Sequence, residues 1–270
     1  MNNRIKNTFL DLKKQNKTAF ISFVTGGDPD LETSLEILKE LPKNGSDIIE
    51  VGIPFLDPAG DGPIIELASK RAVKNGATLK KVLKMVADFR KDNQKTPIIL
   101  MGYYNSVLNY GLEQFTIDAK ENGVDGLLMV DLPIEEDNEL HKHCQKNSLD
   151  FIKLITPTSD PERMKKIIAK ASGFLYFVSI SGITGTKSSN PQEIKKYIQQ
   201  IKELSEIPVA VGFGIKTREQ AQQMSEIGAD GIVVGSKLIE TIEGGLKENL
   251  TKKQIKNNLL AVNRDLSFKS

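Results

Sequence analysis

The chain has 270 residues, 39% of them hydrophobic, with Lys+Arg 37 against Asp+Glu 35 and a formal net charge of +2. That is enough apolar material for one large core, and the balanced charge gives no electrostatic reason to expect a nucleic-acid or membrane partner. The single cysteine, Cys144, excludes an intrachain disulfide, and neither a signal-peptide core nor a bilayer-length apolar run is present, so a cytoplasmic protein is expected.

Residues 1–16 read as an amphipathic helix with Ile5, Phe9 and Leu12 on one stripe. A unit then recurs: a short Ile/Val/Leu/Phe run, a polar loop and a helical pattern. The runs are Ala19–Val24, Asp47–Ile53, Pro97–Met101, Gly126–Val130, Phe151–Ile155, Phe174–Ser179, Val209–Phe213 and Gly231–Val234. Asp28-Pro29, Asp160-Pro161 and Asn190-Pro191 each place a capping side chain before a proline, as at a helix start, and Asn190 with Glu193 has capping-box spacing. Gly45, Gly123 and Gly228 mark helix ends. The second unit is longer because Ile64 to Asn93 holds two helical patterns split at Gly76. Alternating strands and helices imply a parallel sheet with right-handed crossovers. The number of units favours α/β architecture of the closed (β/α)8 TIM barrel type, with an extra N-terminal helix and an extra helix after strand two, as a single domain over 1–270. Its active site would lie at the C-terminal ends of the strands.

Two features point there. Glu50 interrupts the apolar run Ile48–Ile53, and a charged carboxylate in a dry strand is costly unless paired, neutralised or used. No cation is near it in that strand or loop, which favours use over a structural ion pair. The loop Pro54–Pro63 then presents Asp57 and Asp61, although aspartate beside proline or glycine is also ordinary turn chemistry. The second feature is glycine clustering after strands six, seven and eight: Ser181–Gly185, Gly212-Phe213-Gly214 and Gly235-Ser236. Gly185, Gly212, Gly214, Gly235 and Ser236 are the expected phosphate-binding set, because unobstructed amides and a helix N-terminus favour an anion. Singly, each glycine also suits a tight turn. A dinucleotide reading of Gly212-x-Gly214 fails for want of the third glycine and of the first strand of a βαβ pair.

The motifs Thr25-Gly26-Gly27-Asp28-Pro29, Glu50-Val51-Gly52-Ile53-Pro54-Phe55, Asp57-Pro58, Asp61-Gly62-Pro63, Met101-Gly102-Tyr103-Tyr104-Asn105, Asp131-Leu132-Pro133, Ser181-Gly182-Ile183-Thr184-Gly185 and Gly212-Phe213-Gly214-Ile215 stand in this order. Together, from about residue 18 to 240, the chain resembles the tryptophan synthase alpha subunit. The resemblance implies a carbon–carbon lyase of tryptophan biosynthesis that cleaves indole-3-glycerol phosphate to indole and glyceraldehyde 3-phosphate without cofactor or metal. It also implies an alpha2beta2 heterotetramer with a beta subunit that uses pyridoxal phosphate and consumes the indole. Glu50 matches the family's acid/base residue and Asp61 its second carboxylate. Thr184 matches the loop residue bracing Asp61, and Tyr176 an active-site tyrosine. Phe23, Leu100, Leu128 and Phe213 would line the indole slot, with plain barrel core the alternative for each. Asp131 stands as either a site residue or a strand-end brace.

His141, His143 and Cys144 fall in a helical pattern and read as a solvated helix rather than a metal site. Leu56, Gly60 and Glu66 depart from the family pattern on the closing loop, which bears on loop rigidity and partner coupling. Two other readings remain: a stand-alone indole-releasing lyase, and a weakly active barrel acting mainly as allosteric activator of the beta subunit. A histidine-pathway phosphosugar isomerase is disfavoured. Such enzymes rely on paired aspartates at the ends of strands one and five, where this chain has Thr25 and Thr156.

Overall fold

The computed structural model describes residues 3–178, 190–212 and 214–268. Nine strands form one parallel sheet: β1 (Ala19–Thr25), β2 (Ile48–Gly52), β3 (Ile98–Gly102), β4 (Gly126–Met129), β5 (Asp150–Phe151), β6 (Lys153–Ile155), β7 (Leu175–Val178), β8 (Val209–Gly212) and β9 (Gly231–Val234). Their order is β5-β4-β3-β2-β1-β9-β8-β7-β6. The two edges of this sheet are consecutive in the chain, separated only by Ile152. The ladder therefore curls on itself, and β5 and β6 serve as one stave of a nearly closed (β/α)8 barrel. The strands follow the predicted apolar runs because nearly every residue in them is buried, the pattern of a sheet covered on both faces.

The helices are α1 (Arg4–Lys14), α2 (Leu31–Glu40), α3 (Pro63–Lys74), α4 (Leu79–Arg90), α5 (Tyr104–Tyr110), α6 (Leu112–Glu121), α7 (Asn138–Lys146), α8 (Pro161–Lys170), α9 (Pro191–Leu204), α10 (Arg218–Glu226), α11 (Ser236–Lys247) and α12 (Lys252–Leu266). The N-terminal helix buries Ile5, Phe9 and Leu12 as its spacing predicts. The extra helix after strand two is α3, parted from α4 at Gly76, whose φ of 83° suits glycine.

Asp160 and Asn190 cap α8 and α9 as expected, but Asn190 receives Gln192 N–H, and reciprocal capping boxes occur instead at Thr217/Gln220 and Thr251/Gln254. Asp28 is a correction. Asp30 caps α2, and Asp28 is turned inward against Arg71. The helix between β3 and β4 is broken at Gly111, φ 94°, into α5 and α6.

Candidate active site

Alternation along the strands decides which side chains enter the barrel. Phe23 is paired in register with Glu50, Gly52 with Met101, and Met101 with Leu128. These residues make an inner row. Glu50 is 0% exposed, and among the described residues neither carboxylate oxygen has a hydrogen-bond partner. Burial alone pushes its pKa from 4.5 to about 8. At neutral pH the group is therefore chiefly a carboxylic acid, with a proton to give and two lone-pair oxygens to take one back.

Asp61 stands on the loop after β2, just ahead of Gly62, the uncapped N-cap of α3. Burial is the largest influence on it; a hydrogen bond from Tyr103 works against burial and the nearby Glu66 with it, leaving the pKa at about 6. Tyr103 is what the sequence reading did not single out. Its hydroxyl accepts Gly60 N–H at 3.0 Å, and its ring stacks on Phe55 at 5.2 Å between centroids. One tyrosine thus holds both ends of the carboxylate loop. Burial, and next the charge of Asp61, raise its own pKa. The signal available in the sequence was a tyrosine directly after a strand, in a motif already noted.

Phe23, Leu128 and Tyr176 are buried on the inner face. Leu100 is a correction. It pairs with Val51, which crowds the same point beside Gly26 as Val82 of α4, so this row faces the helices. Met101, one residue on, is the half-buried inward neighbour of Leu128. Tyr176 lies beside Glu50, and burial followed by that carboxyl raises its pKa.

The glycines have packing reasons as well as chemical ones. A Cβ on Gly212 would run into Tyr176 Oη, and one on Gly235 would lie 2.9 Å from the Phe23 ring. Gly214 has φ 76° with open space around it. Gly235 precedes α11, which begins at Ser236 with no side-chain cap on its first turn. That arrangement leaves a helix N-terminus, with its partial positive charge, at the end of β9. Thr184, Gly185 and Phe213 lie outside the described residues.

Asp131 accepts Tyr104 N–H at 2.7 Å and so braces the start of α5. Asp57 is exposed in a turn where Ala59 N–H bonds its carbonyl at 3.1 Å. Cys144 corrects the solvated-helix reading, being 0% exposed, while His141 packs on Phe151. Two surface grooves of about 520 and 540 Å³ lie elsewhere, one lined by Arg4, Arg90 and Lys120, the other by Lys80, Tyr110 and Gln114.

The model of the family described as "Tryptophan synthase alpha chain" matches residues 9–267. The chain is similar to the tryptophan synthase subunit alpha of Legionella pneumophila str. Paris, at 39% identity over 98% of each chain with a TM-score of 0.90. It is similar at 30% identity, over 98% of each chain and with a TM-score of 0.86, to a chain of Mycobacterium tuberculosis tryptophan synthase in its aminoacrylate-bound form. A chain from the tryptophan synthase a2b2 complex of Pyrococcus furiosus matches at 35% identity, covering 92% of this chain and 97% of that one, with a TM-score of 0.82.

Proposed function

The chain belongs to the tryptophan synthase alpha chain family, whose reaction is the cleavage of indole-3-glycerol phosphate, and we propose that Glu50 and Asp61 carry that reaction here. The observation behind this assignment is the bare, dry carboxyl of Glu50, whose pKa of about 8 keeps it protonated at neutral pH.

The protonated Glu50 donates to C3 of the indole, which turns the ring into an electron sink. The carboxylate so formed takes the proton of the glycerol hydroxyl. As that C–O becomes a carbonyl, the bond to C3 breaks and its electron pair restores the indole. Glu50 ends as it began, protonated. Asp61, as carboxylate, accepts the indole N–H and stabilises the positive charge that develops on the ring. Phe23, Leu128 and Tyr176, with Met101 in the place expected of Leu100, bound the flat ring, and Phe213 would close the slot. The phosphate would sit on Gly212, Gly214, Gly235 and Ser236, with Gly185 as a further ligand and Thr184 as the brace of Asp61 that the family resemblance implies.

Like the Pyrococcus furiosus relative, the chain works in an a2b2 assembly, handing indole to a beta subunit. Leu56, 57% exposed on the Asp61 loop, and Leu67, 42% exposed on α3, are apolar surface available to that partner. A cytoplasmic location fits the free, buried Cys144, and no helix among the described residues is long and apolar enough to cross a membrane.

The test is indole release from indole-3-glycerol phosphate by the purified chain, alone and with a beta subunit. Activity should be bell-shaped in pH, requiring ionised Asp61 above about 6 and protonated Glu50 below about 8. Glu50→Gln should lower kcat by about 10³-fold while phosphate binding persists. An unchanged kcat in that variant removes Glu50 from the chemistry.

A further inference from the structure

Behind the carboxylate loop lies an ionic cluster that the cleavage steps do not use. Arg71, on α3, grips Asp28 with two parallel bonds, Nε to Oδ1 at 2.8 Å and Nη2 to Oδ2 at 2.9 Å. Its remaining Nη1 bonds Glu243 on α11. Asp28 belongs to the turn between β1 and α2, and its side chain is 0% exposed. One guanidinium therefore joins three elements. The same turn seats the end of α3: Asn75 Nδ2 donates to Pro29 O at 2.6 Å, and Gly27 packs so closely on Ala77 that a Cβ there would lie 2.6 Å away.

The position of these elements gives the cluster its meaning. α3 starts two residues after Asp61, and its first turn has no side-chain cap to anchor it. α11 starts at Gly235-Ser236. Glu243 lies two helical turns down α11, on the face of Ser236. The orientation of α3 sets where Asp61 stands, and that of α11 sets where its first-turn amides point.

On the reading of the mouth proposed above, we infer that Arg71 is a positioning residue for Asp61: by bridging Asp28 and Glu243 it fixes the carboxylate loop relative to the phosphate helix. Arginine suits this task because its planar fork serves two carboxylates at once, which a lysine ammonium cannot do in the same geometry.

Arg71→Met tests it in the full-length chain, with two readouts. In the first, ¹³C NMR titration of the Asp61 carboxyl, where Tyr103 and Glu66 are the facing groups, should show a pKa moved from about 6 toward the ordinary 3.8 as the loop swings into water. That readout holds whether or not the chain cleaves substrate, so a wild type that releases no indole overturns the proposed function and leaves the clamp to be decided by the titration. In the second, kcat for indole release should fall about 100-fold with KM within about threefold, because a displaced catalytic group costs rate more than ground-state binding. An unmoved Asp61 titration, or a kcat within about threefold of an active wild type, overturns the inference. If Arg71→Met does not fold, Arg71→Lys should give an intermediate loss, about 10-fold, with the titration moving in the same direction. A wild-type titration in that variant likewise overturns it.

Discussion

Asp125 and Glu50 are both carboxylates shut away from water, and the barrel treats them in opposite ways. At the foot, just ahead of β4, Asp125 accepts Arg4 Nη1 at 2.8 Å, Arg90 Nη2 at 2.7 Å and Ile98 N–H at 2.8 Å. Arg90 in turn spends its other donors on the carbonyls of Gly123, Asn93 and Thr96. Asp137, also 0% exposed, is held between Lys153 and Lys170. Inside the barrel Glu50 has no such company among the described residues. A buried charge persists only where partners replace water. Where they are missing the group keeps its proton, and a retained proton is what a general acid requires. The fold thus separates buried carboxylates that are paired and fasten its elements together, Asp125 at the foot among them, from one left bare for chemistry.

The strongest way to break this contrast is Asp125→Asn. It strands two guanidinium groups at the foot and should lower the unfolding free energy by about 3–5 kcal/mol, read by chemical denaturation. The kcat of the folded fraction should stay that of the wild type, since the change is remote from the mouth. A loss under about 1 kcal/mol would show that the foot does not depend on this pairing.

Glu50→Gln should act with the opposite sign. Below its ordinary pKa of 4.5 the group is protonated in both folded and unfolded chains. Between 4.5 and about 8 the unfolded chain releases a proton that the folded one retains, so the folded state loses stability as pH rises through that window. The glutamine has no proton to release. Its stability advantage over the wild type should therefore widen by about 3 kcal/mol from pH 4 to pH 7, and level off above about 8. Comparing the two proteins cancels every other titrating group. A gap that does not change with pH would mean that Glu50 ionises freely inside the barrel.

The asymmetry between foot and mouth was only partly open to a reader of the sequence. The strands were legible because each apolar run is buried on both faces, so composition alone marks it. Glu50 was legible for the same reason, as the carboxylate inside such a run; Lys153 is a charge inside another, and Asp137 pairs with it. Its lack of a partner was half legible: nearby cations could be counted in the chain, but not those brought by other strands. Asp28 shows that limit. Asp-Pro ahead of a helical pattern reads as a cap, yet the partner that claims Asp28 is Arg71, 43 residues away. Leu100 shows another. Alternation says that Leu100 and Met101 face opposite ways, but which of them enters the barrel depends on the register of β3 against β2, which is set by pairing rather than by either strand. Tyr103 needed the third dimension too, since its hydroxyl serves Gly60 from across the loop.

The smallest effect sharpens the same contrast through two glycines. At the foot, Gly123 has φ 90°, and a Cβ on it would fall 2.6 Å from Arg90 Cγ, so conformation and packing both demand glycine there. At the mouth, Gly60 is not among the positive-φ residues, and a Cβ on it would meet only Tyr103 Oη, at 3.4 Å. Alanine at position 60 keeps the N–H that Tyr103 accepts and removes freedom from the unfolded chain. Gly60→Ala should therefore raise stability by about 0.4–1 kcal/mol, read as a higher melting temperature, with indole release kept because Tyr103 still holds the loop. Gly123→Ala should lower it. If Gly60→Ala proves destabilising as well, the loop bearing Asp61 is packed as tightly as the foot, and the contrast between foot and mouth rests on the Glu50 pocket alone.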